Sequence, residues 1–329
     1  MGVLLLGACA AWSLITAAAR GGRPEGVLLA VLAVAAGYAA GRICGAVLPV
    51  VAPSAGALAG LGLAVTDPHT MTGSPLVSPL GHTGATAALL VLSAGASCCA
   101  AWAARAPGPR LALRLLACGI AVTAAALGSI TGFAACAGVL LCSLAAARMR
   151  RGPGLVGLAL ATALVTTTVW AVAENALPAG LTDSLEGQLT PHRILLWHDA
   201  LGLVHDEPLL GAGPGRFGEL SPTVAESLSA DDRPHSAPLQ LAAEQGLVGV
   251  ALLAAVFGWV LYVLWRTPRS TPVVLTAGAA LTAMAAIAAV GNALSFTTVT
   301  AGAGLLAGMA TAWPLTEGES ETAPDLGDR

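Results

Sequence analysis

Between Glu174 and Pro238 the chain holds four of its six histidines, His192, His198, His205 and His235, and three of its fifteen basic residues, Arg193, Arg216 and Arg233. Imidazole is the side chain suited to moving a proton near neutral pH, and guanidinium stays charged and grips phosphate bidentately. Three segments organise these residues. In Arg193-Ile-Leu-Leu-Trp197 the arginine and tryptophan stand four apart, on one face of a helix whose apolar rhythm continues through Ala200, Leu201 and Val204. In Pro208-Leu-Leu-Gly211-Ala-Gly213-Pro-Gly215-Arg216-Phe217 the glycines let backbone approach a bulky or phosphate-bearing ligand. In the third, Ser236 is placed to cap, and Pro238 to enter the first turn of, a helix running through Gln240, Glu244, Gly246 and Gly249, with His235 at its mouth.

The elements that must position these residues belong to a membrane. Of 329 residues 56% are hydrophobic and only 10% charged, with a mean hydropathy of +0.79, whereas a soluble domain carries about 25% charge. A hydrocarbon core about 30 Å thick needs roughly 20 apolar residues per helical span, and the apolar runs are continuous rather than alternating, which excludes a β-barrel. The expected fold is therefore an all-α integral membrane protein of about ten helices, at 3–19, 26–41, 43–65, 84–104, 111–128, 132–147, 155–173, 243–265, 272–290 and 294–313. Residues 1–173 form an N-terminal bundle of about seven helices, 174–238 a large loop containing helices, 239–313 three further helices, and 314–329 a disordered acidic tail. The first run lacks a positive leader and reads as a retained helix.

Arginine placement orients this bundle. With the N-terminus inside, Arg42, Arg105, Arg110, Arg114, Arg148, Arg150, Arg151, Arg266 and Arg269 all fall on the cytoplasmic side. Arg20 and Arg23 are left outside with the 174–238 loop, which becomes extracytoplasmic. The second and third spans are separated only by Arg42. A net charge of −3 with no basic stripe argues against nucleic acid. The seven cysteines, Cys9, Cys44, Cys98, Cys99, Cys118, Cys136 and Cys142, lie within apolar runs and read as small buried hydrophobes.

In order and spacing, R-x-x-x-W at 193–197, G-x-G-x-G-x-F at 211–217 and H-x-x-x-L-Q-x-x-x-E-x-G-x-x-G at 235–249 resemble the signature of the O-antigen ligase and polymerase superfamily. The resemblance covers about 60 residues, Arg193 to Gly249; the flanking helices match only in being numerous and apolar. It implies a metal-independent, inverting glycosyltransferase of the cytoplasmic (inner) membrane, without cofactor. Such an enzyme moves an oligosaccharide from an undecaprenyl-diphosphate donor to an acceptor hydroxyl on a glycan or lipid, by ligation or polymerisation, outside the membrane. His235 matches the catalytic histidine that would deprotonate the acceptor. Arg193 and Arg216 would hold the diphosphate, with Arg233, Gln240, Glu244, Gly211, Gly213 and Gly215 in support. A further arginine that members often carry in an S-R-G-like motif is missing from Gly128-Ser129-Ile130-Thr131-Gly132, so another residue would have to supply that charge.

Each of these residues also has a plainer reading. His235 can be a solvated loop histidine, Arg193 a headgroup anchor beside a tryptophan, Arg216 a turn residue paired with Glu219, and Arg233 a counter-charge to Asp231 and Asp232. Trp197 and Phe217 read as packing residues, and Gly246 and Gly249 as sites of close helix packing. A transporter or lipid-linked glycan flippase is the rival function, but the deep helix interiors offer almost no ionisable groups. A metal site is the third reading, since His198 and His205 with Asp199 and Asp206 recur at i, i+7; the tighter spacing or H-E-x-x-H pattern usual for zinc is missing.

Overall fold

A computed structural model describes residues 1–66, 79–174, 191–226 and 233–313. Among them every regular element is helical. Seven helices precede the polar island: α1 Gly2–Arg20, α2 Glu25–Val47, α3 Val51–Thr66, α4 Pro79–Ala103, α5 Pro107–Ala126, α6 Ile130–Ala146 and α7 Arg151–Ala173. The island contributes α8 Pro191–Asp206 and two short helices, α9 Phe217–Leu220 and α10 Pro222–Glu226. After it come α11 Ala237–Arg266, α12 Thr271–Val290, a 3-10 turn at Ala293–Ser295 and α13 Thr297–Thr311. Among the described residues seven helices are long and apolar enough to cross a membrane: α1, α2, α4 over Gly84–Ala103, α5, α7, α11 and α12. Helices α3 and α6 are apolar but shorter. The chain is a multi-pass membrane protein. The tail expected over 314–329 lies outside the described residues.

One expected boundary is displaced. Arg42 does not separate two spans; α2 runs through it to Val47, and the chain turns at Leu48. Pro49 is the reason, because the residue before a proline is pushed out of the helical region, and Leu48 sits at φ −129° and ψ 68°. The helix continues past Arg42 because Gly37, Gly41 and Gly45 form a strip against which α13 lies. A Cβ on Gly41 would stand 2.2 Å from the Leu305 carbonyl oxygen, and one on Gly308 of α13 would stand 2.3 Å from that of Tyr38. Backbones this close exclude any side chain, and in a membrane such packing substitutes for the hydrophobic drive that water supplies elsewhere.

Helices α4 and α12 are buried along nearly their whole length and form the centre of the main core, with Leu90, Val91, Val274, Leu281 and Leu306 among its members. Helices apolar on every face must lie inside a bundle. Polar side chains between helices satisfy one another: Trp102 donates to the Ser143 hydroxyl at 3.0 Å, and Thr276 bonds the same hydroxyl at 3.1 Å.

Arginines tie the helix ends at one end of the bundle. Arg151 donates to the carbonyls of Thr267 at 2.6 Å and of Arg269. Arg269 donates to Gly45 O at 2.7 Å and Ala312 O at 2.8 Å, closing α2 and α13 together. The last carbonyls of a helix have no intrahelical partner and carry its negative partial charge, so guanidinium is a natural cap.

Candidate active site

The opposite end holds the polar island, which carries its own hydrophobic core. Leu196, Trp197, Ala200, Leu201 and Val204 of α8 pack on Leu239, Ala242 and Ala243 of α11, on Val169, Val172 and Ala173 of α7, and on Ala289 of α12. The spacing of the α8 residues places them on one stripe, which is why a segment this polar folds as a helix there. Phe217 closes the same core from α9.

His235 sits where this core meets the start of α11. It is 7% exposed and adopts φ 48°, the one positive-φ residue other than glycine among the described residues. Such a backbone costs about 1–3 kcal/mol and persists only where the surroundings fix it. Two contacts flank it. Upstream, the Trp197 indole N–H donates to the Pro234 carbonyl at 2.7 Å, with the indole 1% exposed. Downstream, Ser236 starts α11 and its carbonyl accepts from Gln240 N–H at 2.8 Å. Ser236 occupies the cap position, but its hydroxyl accepts no capping bond there, and Pro238 in the first turn has no N–H to donate one. The loop-histidine reading therefore fails on burial.

Arg193 lies one turn before Trp197 on α8. Its Nη1 donates at 3.1 Å to the carbonyl of Val290, the last residue of α12. His235 and Arg193 thus belong to one junction of α8, α11 and α12.

Arg216 and the glycine segment belong to a second place. Helix α11 is broken at Gly246, whose φ of 69° and ψ of −173° are accessible in practice to glycine alone. A break releases backbone groups that membrane interiors do not solvate, and here four of them have partners outside the helix. Leu247 N–H donates to Pro208 O at 2.8 Å, Ala243 O accepts from Ala212 N–H at 2.8 Å, and Glu244 O accepts from Gly213 N–H at 2.9 Å. Gln245 O accepts from the Trp12 indole of α1 at 3.0 Å. Pro208–Gly215 thus replaces the missing helical bonds. Gly211 must be glycine because its φ is 66° and a Cβ would meet the Gln245 nitrogen at 2.6 Å.

The same loop leans on the turn between α1 and α2. Arg23 N–H donates to Pro214 O at 2.7 Å, and Arg216 Nη1 donates to Arg20 O at 2.8 Å, capping α1. Arg216 also pairs with Glu219 at 3.5 Å, and Arg20 with Glu207. The Glu219 pairing is the plainer role foreseen for Arg216. Glu244, 5% exposed, accepts from Gly215 N–H at 2.9 Å and from Gln240 Nε2 at 3.0 Å. With the N–H groups of Gly211, Ala212, Gly213, Gly215 and Arg216 all bonded inside the protein, the anion in this nest is the carboxylate of Glu244. From Ala237 to Glu244 the helix rises about 10 Å, which is the scale of the offset between the two places. Arg233 is exposed.

A sequence model of the O-antigen ligase family matches residues 80–254, more than half of the chain. The chain belongs to the O-antigen ligase family. The match runs from α4 into the second half of α11, so the O-antigen ligase likeness extends well beyond the 60 residues whose motifs carry it. It includes His235, Arg193, Arg216 and the broken helix. No curated protein and no solved structure matches the chain. Family membership supports ligase- or polymerase-type activity by a glycosyltransferase-like enzyme acting on lipid-linked glycan.

Sequence reasoning passed over three features of this member of the O-antigen ligase family. Gly246 read as a packing glycine, and nothing within its own segment announces the break. Trp12, Arg20 and Arg23 lay far away in sequence, yet Arg20 and Arg23 were the arginines that topology left on the island's side. Asp199, grouped with a metal reading, accepts from the Ser221 hydroxyl and from Thr223 N–H at 3.0 Å, and so caps α10. Among the described residues no group of three His, Cys, Asp or Glu side chains is arranged to hold a metal ion.

Proposed function

We propose that this chain is a metal-independent, inverting glycosyltransferase that moves an oligosaccharide from an undecaprenyl-diphosphate donor to an acceptor hydroxyl, by ligation or polymerisation. The observation that carries the reading is His235: a buried histidine in a strained backbone, at the start of a helix that the island's own core holds in place. Strain of this kind at a titratable residue is a mark of functional sites. In the reaction, the acceptor O–H gives its proton to the His235 imidazole while its oxygen forms the new bond to the anomeric carbon. The anomeric C–O bond to the diphosphate breaks on the opposite face, and the electron pair leaves with the diphosphate. Arg193, at the same junction, balances that charge. Arg216, Gln240, Glu244 and the glycines act one step removed, by fixing the broken helix and the α1–α2 turn.

The site lies on the extracytoplasmic side of a bundle that crosses the membrane ten times. Supporting this, Arg42, Arg105, Arg148, Arg150, Arg151, Arg266 and Arg269 gather around the ends of α2, α4, α6 and α11 and the starts of α7 and α12, whereas the described carboxylates belong to the island's end or its approach. Cysteine labelling from outside intact cells at position 219 but not at 148 is the expected outcome.

The test of function compares cells carrying the wild type, a deletion and His235→Ala at equal membrane abundance. Loss of mature surface glycan with accumulation of the polyprenyl-diphosphate-linked precursor in both mutants is expected. Full rescue of the deletion by His235→Ala would remove the proposed base.

A further inference from the structure

We infer that Trp197 is a positioning residue for His235, resting on the reading of His235 as the base. The indole N–H of Trp197 donates to the Pro234 carbonyl at 2.7 Å, one residue before the histidine, and both groups are buried. Pro234 fixes its own φ by its ring and brings no N–H of its own, so its carbonyl is the one backbone handle it offers. On the far side, Gln240 N–H holds the Ser236 carbonyl as α11 begins. The left-handed His235 is therefore clamped at the residue before it and the residue after it. Removing the upstream clamp lets His235 relax toward negative φ, which swings the imidazole through a large angle about the chain.

The clamp also sets a distance. Trp197 and Arg193 stand one helical turn apart on α8, about 6 Å along the axis, and Arg193 is itself fixed to the end of α12 through Val290 O. One rigid helix thus places the residue that holds the base and the residue that holds the leaving charge. A tryptophan here does more than fill the island's core: phenylalanine or leucine fills most of the space but offers no donor. The register of α8 against α11 becomes the quantity that fixes the gap between proton acceptance and charge release.

The test uses the full chain purified in lipid nanodiscs as wild type, Trp197→Phe and Leu201→Ala. Leu201 is buried in the same core, so its truncation loosens packing without touching the clamp. Histidine modification by diethyl pyrocarbonate is followed residue by residue by mass spectrometry, with exposed His205 as internal reference. The expected result is a roughly 5- to 10-fold faster modification of His235 in Trp197→Phe, the scale of one buried hydrogen bond, with His205 unchanged and Leu201→Ala near wild type. An unchanged His235 rate, an equal rise in Leu201→Ala, or a rise shared by His205 would each overturn the clamp. Transfer assayed with precursor isolated from the deletion strain is expected to lose kcat in Trp197→Phe with KM little altered. Wild-type transfer by His235→Ala would overturn the base assignment, while the modification pattern judges the clamp by itself.

Discussion

Replacing Gly246 with alanine tests the broken helix directly. At φ 69° and ψ −173° a residue with a Cβ is strained by about 1–3 kcal/mol even in open space. The space is not open: the new carbon would lie 2.2 Å from the Leu209 carbonyl oxygen, 2.5 Å from its carbon and 2.8 Å from Pro208 O. These are backbone atoms, so relief requires the Pro208–Gly215 loop to retreat by about 1 Å, at an overpacking cost of about 1–3 kcal/mol. The retreat breaks the bonds that replace the missing helical ones, including Leu247 N–H to Pro208 O. The sum of these two, about 2–6 kcal/mol, exceeds what one surface substitution does in most proteins. Gly258 in the same helix is the control, because a Cβ there meets nothing within 4 Å. In thermal unfolding of the purified protein, Gly246→Ala should melt well below wild type and Gly258→Ala at or above it. Equal melting of the two variants would refute the break.

Other substitutions probe separate parts of the same scheme. Gly41→Val should abolish accumulation of folded protein, because its side chain enters the Leu305 carbonyl at a 2.2 Å approach; membrane abundance by immunoblot reads this. Glu244→Leu removes the acceptor of two part-buried hydrogen bonds, from Gly215 N–H and Gln240 Nε2, a loss of about 1 kcal/mol for each bond, whereas Glu244→Gln retains an acceptor oxygen and should lose less in the same thermal assay. Asp199→Ala uncaps α10 and should lower stability by about 1 kcal/mol without altering glycan transfer measured at a temperature where the fold is intact.

Much of the fold was legible because its cause is local. Apolar runs of span length and arginines at their ends are properties of consecutive residues, and the structure places helices over them. The Arg42 boundary failed because charge was weighed above conformation: Pro49 dictates the turn, while Arg42 sits near the end of α2 and needs no break. The island's motifs pointed to His235 and Arg193, since their types and order carry chemistry. What the motifs did not reveal depends on contacts across the chain. Trp12 reaches Gln245 O from 233 residues away, and no pattern within either segment announces it. The glycine loop misled in a specific way: positive-φ glycines let backbone approach something closely, but only the fold says that the something is the break in α11.

The arginines expose the harder question for this family's chemistry, because one residue type serves two purposes here. Arg151 and Arg269 at one end, and Arg193 and Arg216 at the other, all donate to carbonyls at or just beyond helix C-termini. Alanine at any of them removes a cap together with a charge, so loss of activity would not separate the roles. Arg193→Gln separates them: its amide can donate to Val290 O, yet it brings no charge to a leaving diphosphate. A helix-end charge contributes about 0.3–1 kcal/mol, within what a neutral donor partly retains, while a charged contact to developing phosphate is worth several. Arg193→Gln should therefore melt near wild type and lose transfer by about 100-fold or more. If transfer survives, Arg193 is a helix cap alone, and the positive charge missing beside Ser129 must be sought at Arg20 and Arg23, which the α1–α2 turn brings to the same end of the bundle as Arg216.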